Sequence, residues 1–167
     1  MKRIKPDELF IETAKLFSKR STCLRKQVGC VIVKDGRIIS TGYNGTMSNQ
    51  QHCSEYFAKY FLQDEYRNAD TFEQWINSEE FYNLHRDFSI FENHAEVNCI
   101  AFAVKNGINI NNSIAYVTLS PCLDCAKLII SSGIKKVIYL EKYDRDDRGI
   151  NYLIKNDVEC VQFLNIS

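Results

Sequence analysis

The sequence predicts an α/β fold with three layers, α/β/α, in which a mixed five-stranded sheet lies between helices. Two observations lead to this prediction. Two strand-like segments in the first third of the chain flank an Asp-Gly turn, and strand-like and helix-like segments alternate in the last third. The turn implies antiparallel pairing, whereas the alternation implies parallel strands joined by right-handed crossovers. A sheet that contains both kinds of pairing is mixed.

The N-terminal elements follow from local patterns. Apolar residues recur at helical spacing after a proline suited to a first helical turn, which predicts a helix from Pro6 to about Ser18. Strands are predicted over 28–33 and 38–43, on either side of the turn at 35–36. We expect these two strands to be antiparallel neighbours.

The remainder of the chain divides into an insertion and a regular part. Residues 48–93 are aromatic and charged without a sustained period, and we expect a partly helical insertion packed on the core. The regular part predicts, in order, a helix over 94–106, a strand over 115–120, a helix over 122–132, a strand over 136–140, a helix near 150–155 and a strand over 159–163. No linker or repeat interrupts the sequence, so residues 1–167 are interpreted as a single domain.

Composition disfavours several functional classes. The chain has 167 residues with 21 Lys plus Arg and 21 Asp plus Glu, so it lacks the basic field typical of general nucleic-acid binding. It contains no apolar segment of signal-peptide or membrane-spanning length. We therefore expect a soluble cytoplasmic protein that acts on a small molecule rather than on nucleic acid or at a membrane.

Two short motifs indicate a metal centre. Cys122 and Cys125 are three residues apart at a predicted helix start, where they face the same side and the helix dipole favours thiolates. His94 begins the preceding helix and can add an imidazole nitrogen. Three such ligands leave a fourth tetrahedral position for water, as in catalytic zinc sites. Glu96 then lies beside the metal without being a ligand.

Each motif has other interpretations when it is taken alone. Cys-x-x-Cys is also found in redox pairs and structural metal sites, and His-x-Glu occurs often by chance. The joint pattern, His-x-Glu followed downstream by Pro-Cys-x-x-Cys, matches the zinc-dependent nucleobase deaminases. Three hypotheses stay open: a deaminase, a non-catalytic zinc or nucleotide-binding sensor module, and a metal-independent thiol oxidoreductase.

Motifs through most of the chain resemble those of the deoxycytidylate deaminases, including phage members of the family. The matching segments are Val28-Gly29, Gly42-Tyr43-Asn44-Gly45-Thr46, His94-Ala95-Glu96, Thr118 to Cys125 and Ser132 to Lys136. The resemblance implies a cytidine-deaminase-like fold and hydrolytic conversion of dCMP to dUMP and ammonia, which supplies dUMP for thymidylate synthesis. The same chemistry on dCTP, cytidine, free cytosine or tRNA adenosine is the alternative.

The resemblance also implies roles for individual residues. Glu96 takes a proton from the zinc-activated water and delivers it to ring N3 as C4 is attacked. Asn44 corresponds to a loop asparagine that reaches the sugar 3′-hydroxyl. The further candidates for substrate contacts are Arg25, Lys26, Ser120, Tyr143 and Arg145.

A second, structural zinc is implied by phage members of the family. Cys23 and Cys53 match its cysteine ligands, His85 is the candidate histidine, and His52 is a further candidate for the fourth position. The other cysteines outside the catalytic motif, Cys30, Cys99 and Cys160, lie in apolar contexts and are predicted to be small core residues.

The resemblance finally implies regulation. Related enzymes are commonly homohexamers that dCTP with Mg²⁺ activates and dTTP inhibits. The effector is expected near Gly42, Tyr43, Asn44 and Gly45, where two glycines let backbone amides approach a triphosphate.

Overall fold

A computed structural model describes residues 3–63, 69–143 and 146–164. The helices are α1 (Pro6–Ser18), α2 (Cys53–Gln63), α3 (Phe72–Trp75), α4 (Glu79–Phe88), α5 (Ala95–Lys105), α6 (Leu123–Ser131) and α7 (Arg148–Lys155), with a 3-10 turn at Ser89–Phe91. The strands are β1 (Gly29–Lys34), β2 (Arg37–Tyr43), β3 (Gly45–Thr46), β4 (Glu92–Asn93), β5 (Ile114–Leu119), β6 (Lys136–Glu141) and β7 (Glu159–Gln162). None of the helices in these residues is long and apolar enough to cross a bilayer.

The main sheet has five strands in the order β2-β1-β5-β6-β7. β1 is antiparallel to both of its neighbours, whereas β5, β6 and β7 are mutually parallel. The predicted mixed sheet is therefore confirmed. The hairpin turn is also as predicted, since Lys34 pairs with Arg37 and both turn residues have positive φ, 50° at Asp35 and 72° at Gly36.

Helices cover both faces of the sheet. α1 packs on one face through Phe10 and Ile11, which join Val31 and Val33 in one apolar cluster. Alternate residues of β1 face the opposite cluster, which contains apolar residues of α5, α6 and α7. Cys30 and Cys99 are fully buried in that second cluster, and Cys160 packs against it. The three-layer arrangement puts the starts of α5 and α6 at one end of the sheet.

The segment between β2 and α5 has a small core of its own. Its buried apolar residues form one cluster, which consists of Cys53, Phe57, Phe61, Trp75 and Phe81. The buried aromatic rings of the predicted insertion therefore pack on one another. β3 and β4 pair antiparallel at the base of this segment, with Gly45 opposite Asn93. That two-stranded sheet and the bounds of α2, α3 and α4 were not predicted.

Candidate metal centres and nucleotide pocket

The first candidate metal centre lies where α5 and α6 begin. His94 is the N-cap residue of α5, Cys122 is the N-cap residue of α6, and Cys125 lies in the first turn of α6. His94 Nδ1 is 3.4 Å from Cys122 Sγ and 3.3 Å from Cys125 Sγ. The three ligand atoms all lie within 4.8 Å of one another, which fits the donor set and spacing of a tetrahedral zinc site.

The electrostatics of this group favour a thiolate. Hydrogen bonds from Cys125 and then from His94 lower the pKa of Cys122 to about 4. The hydrogen bond to Cys122 correspondingly raises the pKa of His94 to about 9. A thiolate and an imidazole are in contact here at two helix N-termini. Such groups can bind a soft divalent cation, which then takes the place of a bound proton.

Glu96 lies in the first turn of α5 and is buried, with 4% of its surface exposed. Its carboxylate is outside the group of ligand atoms formed by His94, Cys122 and Cys125. Burial raises the pKa of Glu96 above the ordinary range, so its carboxylate binds a proton more readily than one in water. The side chain can therefore take up a proton beside the His-Cys-Cys group and release it again there.

A cavity of about 570 Å³ opens beside this group. Its volume is within the range of small-molecule sites. Its lining includes the metal-ligand candidates His94 and Cys122, Glu96, and the substrate candidates Arg25, Lys26, Asn44, Ser120 and Tyr143. The structure thus brings together in one cavity five of the substrate residues predicted from sequence. Arg145 lies outside the described residues.

Two of these residues support the walls of the cavity through their side chains. Asn44 Oδ1 accepts a hydrogen bond from the Val28 amide at 2.7 Å, and Asn44 Nδ2 donates to the Lys26 carbonyl at 2.7 Å. Ser120 Oγ accepts from the Tyr143 amide at 2.8 Å. Asn44 therefore fastens the loop that carries Arg25 and Lys26, a role additional to the predicted sugar contact.

The predicted effector segment is in contact with α5. A Cβ atom added to Gly42 would lie 2.5 Å from both the Ala95 carbonyl oxygen and the Cys99 amide nitrogen. The Tyr43 carbonyl accepts from Asn98 Nδ2 at 2.8 Å. Close packing therefore requires a glycine at position 42, and Gly45 belongs to the β3–β4 pair. The predicted approach of these glycines to a triphosphate stays a prediction.

The second candidate metal centre joins four segments of the chain. It comprises Cys23 before β1, Cys53 at the start of α2, His85 in α4 and Glu92 in β4, whose ligand atoms lie within 4.8 Å of one another. Cys23 Sγ is 3.3 Å from His85 Nε2, and Glu92 Oε2 is 3.5 Å from the same nitrogen. The structure therefore brings together the three residues predicted for a second zinc.

The fourth member of this centre differs from the one suggested by the sequence. His52 lies outside the group, with Nδ1 3.2 Å from Thr46 Oγ1, and Glu92 takes its place. Burial raises the pKa of Glu92 to about 8, and its Oε1 is buried without a hydrogen-bond partner among the described residues. No local pattern in the sequence distinguishes Glu92 from the other charged residues of the insertion. A buried carboxylate with an unpartnered oxygen suits a cation.

Most of the chain is similar to known proteins of one family. Residues 4–141 match the family model described as the cytidine and deoxycytidylate deaminase zinc-binding region. The deoxycytidylate deaminase of Enterobacteria phage T4 is 39% identical over 160 residues, which cover 87% of this chain and 83% of that protein. The deoxycytidylate deaminase of Schizosaccharomyces pombe is 32% identical over 95% of this chain and 44% of its own length.

The solved structures include a similar fold with nucleotides bound. The crystal structure of dCMP deaminase from the cyanophage S-TIM5 in complex with dCMP and dUMP has a TM-score of 0.68 and 32% identity. The match covers 96% of this chain and 100% of that one.

Proposed function

Because the chain belongs to the cytidine and deoxycytidylate deaminase family, we propose that it hydrolyses dCMP to dUMP and ammonia. The observation that carries the proposal is the position of Glu96 in a nucleotide-sized cavity beside a His-Cys-Cys group. Further support comes from the cyanophage dCMP deaminase, whose crystal structure holds dCMP and dUMP.

In this proposal His94, Cys122 and Cys125 hold the catalytic zinc. Zinc held in this way supplies Lewis acidity that makes water nucleophilic near neutral pH. Glu96 accepts a proton from the attacking water and passes it to N3 of the cytosine ring. Glu96 then takes the second proton from the hydroxyl group now on C4 and delivers it to the amino group, so that the C4 carbonyl forms as the C4–N bond breaks and ammonia leaves. Burial raises the pKa of Glu96, which favours uptake of a proton from water by this carboxylate.

The choice of a nucleotide over cytidine or free cytosine rests on the charged residues at the cavity. Arg25 and Lys26 line it and can bind a phosphate group, which cytidine and free cytosine lack. Equal numbers of acidic and basic residues disfavour a tRNA substrate.

The test is to incubate zinc-loaded protein with dCMP, dCTP, cytidine, deoxycytidine and a tRNA substrate for adenosine deaminases, and to measure ammonia release. We expect the highest kcat/KM with dCMP. A higher value with any of the other substrates would contradict the substrate assignment.

We also propose a second, structural zinc held by Cys23, Cys53, His85 and Glu92. It is supported by the buried donor set and by the unpartnered oxygen of Glu92, which a cation would satisfy. Elemental analysis should find about two zinc ions per protomer in the unchanged protein. It should find about one after Cys53→Ser, because this change removes one of the four ligands of the second site. Cys160→Ser, which changes a cysteine outside both groups, should keep both. One equivalent in the unchanged protein would contradict the second site.

Regulation completes the proposal. We infer a homohexamer that dCTP with Mg²⁺ activates and dTTP inhibits, with the effector near Gly42–Gly45. The effector position is supported by the contacts of Gly42 and Tyr43 with α5. A displacement of residues 42–45 would also displace α5, the helix that begins beside His94.

Rate measurements against dCMP concentration, with mass determination by light scattering, test this regulation. We expect a sigmoidal curve that dCTP makes hyperbolic and dTTP makes more sigmoidal. A hyperbolic curve that neither triphosphate shifts in the presence of Mg²⁺ would contradict it.

A further inference from the structure

We propose that helix α4 completes the phosphate-recognition site: Arg86 contacts the 5′-phosphate of the substrate, and Tyr82 positions Arg25 for the same group. The inference rests on the proposed function and adds to it two residues of the insertion that sequence analysis did not single out. It makes α4 a determinant of specificity for the nucleotide over the nucleoside.

Three cationic side chains line the cavity that contains Glu96. Arg25 and Lys26 come from the loop before β1, and Arg86 comes from α4. Arg25 lies with its guanidinium carbon 4.0 Å from the centre of the Tyr82 ring. Arg86 follows Tyr82 by four residues, which places both on one face of α4. The two guanidinium groups therefore belong to the same region of the cavity wall.

The charges of these cations are poorly compensated within the described residues. Neither Arg25 nor Lys26 forms an ion pair there, and the only ion pair of Arg86 is with exposed Asp87, at 3.8 Å. Such a pair contributes little to stability and leaves the guanidinium able to bind another anion.

The acidic residues that line the same cavity have other contacts. Glu92 lies 3.5 Å from His85, and Glu96 is buried beside the His-Cys-Cys group. A phosphate monoester, with up to two negative charges and three terminal acceptor oxygens, matches a site of this composition.

A buried contact fixes the two cation-bearing segments relative to each other. Cys23 Sγ and His85 Nε2 are 3.3 Å apart. Cys23 precedes Arg25 by two residues, and His85 is adjacent to Arg86. The loop before β1 and α4 are thus tied together next to the residues that would bind phosphate, so the site is organised before substrate binds.

The first test measures dUMP binding by calorimetry with the zinc-loaded protein. Arg86→Gln should weaken dUMP binding about tenfold, because it removes a charge-assisted hydrogen bond. It should raise KM for dCMP by a similar factor and leave kcat within about twofold. Arg37→Gln is the matched control, since Arg37 is exposed at the far end of β2 and does not line the cavity. It should change neither quantity.

The second test addresses Tyr82 as a positioning residue. Tyr82→Leu removes the ring below Arg25 and should weaken dUMP binding about two- to fivefold, the range of an exposed cation–π contact. Tyr82→Phe keeps an aromatic face and should restore binding to within about twofold of the unchanged protein. Equal weakening by both variants would overturn the positioning role.

The outcomes separate this inference from the proposed function. Failure of the unchanged protein to bind dUMP, or equal dUMP affinity of Arg86→Gln and Arg37→Gln, overturns the α4 phosphate site. Weakened dUMP binding by Arg86→Gln together with no ammonia release from dCMP by the unchanged protein would support the phosphate site and contradict the deaminase function.

Discussion

Burial of a carboxylate next to thiolates is energetically unfavourable, and Glu96 is such a carboxylate. Its pKa is raised chiefly by desolvation, and it belongs to neither group of ligand atoms. Its position in the first turn of α5 offsets part of this cost, because the helix N-terminus stabilises negative charge. A residue kept in this position at a net cost has the properties of a proton-transfer group.

Substitution of this carboxylate by its amide tests the role directly. Glu96→Gln keeps the size of the side chain but cannot accept a proton, so kcat on dCMP should fall by about 10²- to 10⁴-fold. Zinc content by elemental analysis should be unchanged, since Glu96 is outside the ligand group.

The matched control for this prediction is Glu12→Gln, an amide substitution at an exposed glutamate in α1. Its turnover should equal that of the unchanged protein. Turnover by Glu96→Gln within about tenfold of this control would remove Glu96 from the proposed mechanism.

At the level of elements, the position of His94 and Glu96 depends on how closely β2 approaches α5. Gly42 lies against the Ala95 carbonyl and the Cys99 amide, which are backbone groups that cannot rotate away. Ser40 Oγ in the same strand donates to the Cys99 carbonyl at 2.6 Å. The distance between this strand and the helix that begins beside His94 is therefore set by backbone contacts.

The prediction at this scale concerns a single methyl group. Gly42→Ala should lower the free energy of unfolding by about 1–3 kcal/mol, because its Cβ overlaps backbone atoms and forces β2 away from α5. Urea titration measures the effect. The same change at Gly36, where a Cβ meets nothing within 4 Å but φ is +72°, should cost about 1 kcal/mol. A larger loss at Gly36 than at Gly42 would contradict this explanation.

At the level of the whole molecule, the sheet and its helices were predictable because their signals are local. The Asp-Gly turn, the proline at the start of α1 and the alternation after residue 94 all act within a few residues. His94, Cys122 and Cys125 were predictable as a group for the same reason, since each marks a helix start. The structure places them together, and their role as zinc ligands remains a proposal.

The features that escaped prediction depend on contacts between distant segments. The insertion helices are stabilised by aromatic packing around Trp75, which joins residues of α2, α3 and α4. Glu92 looks like any charged residue until burial removes water from its carboxylate. The contact of Arg25 with Tyr82 joins residues 57 positions apart, and no local pattern predicts it.

The pairing of β3 with β4 has an evolutionary consequence. Gly45 and Asn93 are opposite each other in this ladder, so the chain leaves the core and returns to it at the same point. Residues between them can lengthen, shorten or be exchanged without moving Asn44 relative to His94, because closing a longer loop adds little entropy. Arg86 lies in that excursion, so under its proposed role in phosphate binding natural selection can alter which phosphorylated compound is accepted while the residues His94, Cys122 and Cys125 stay unchanged.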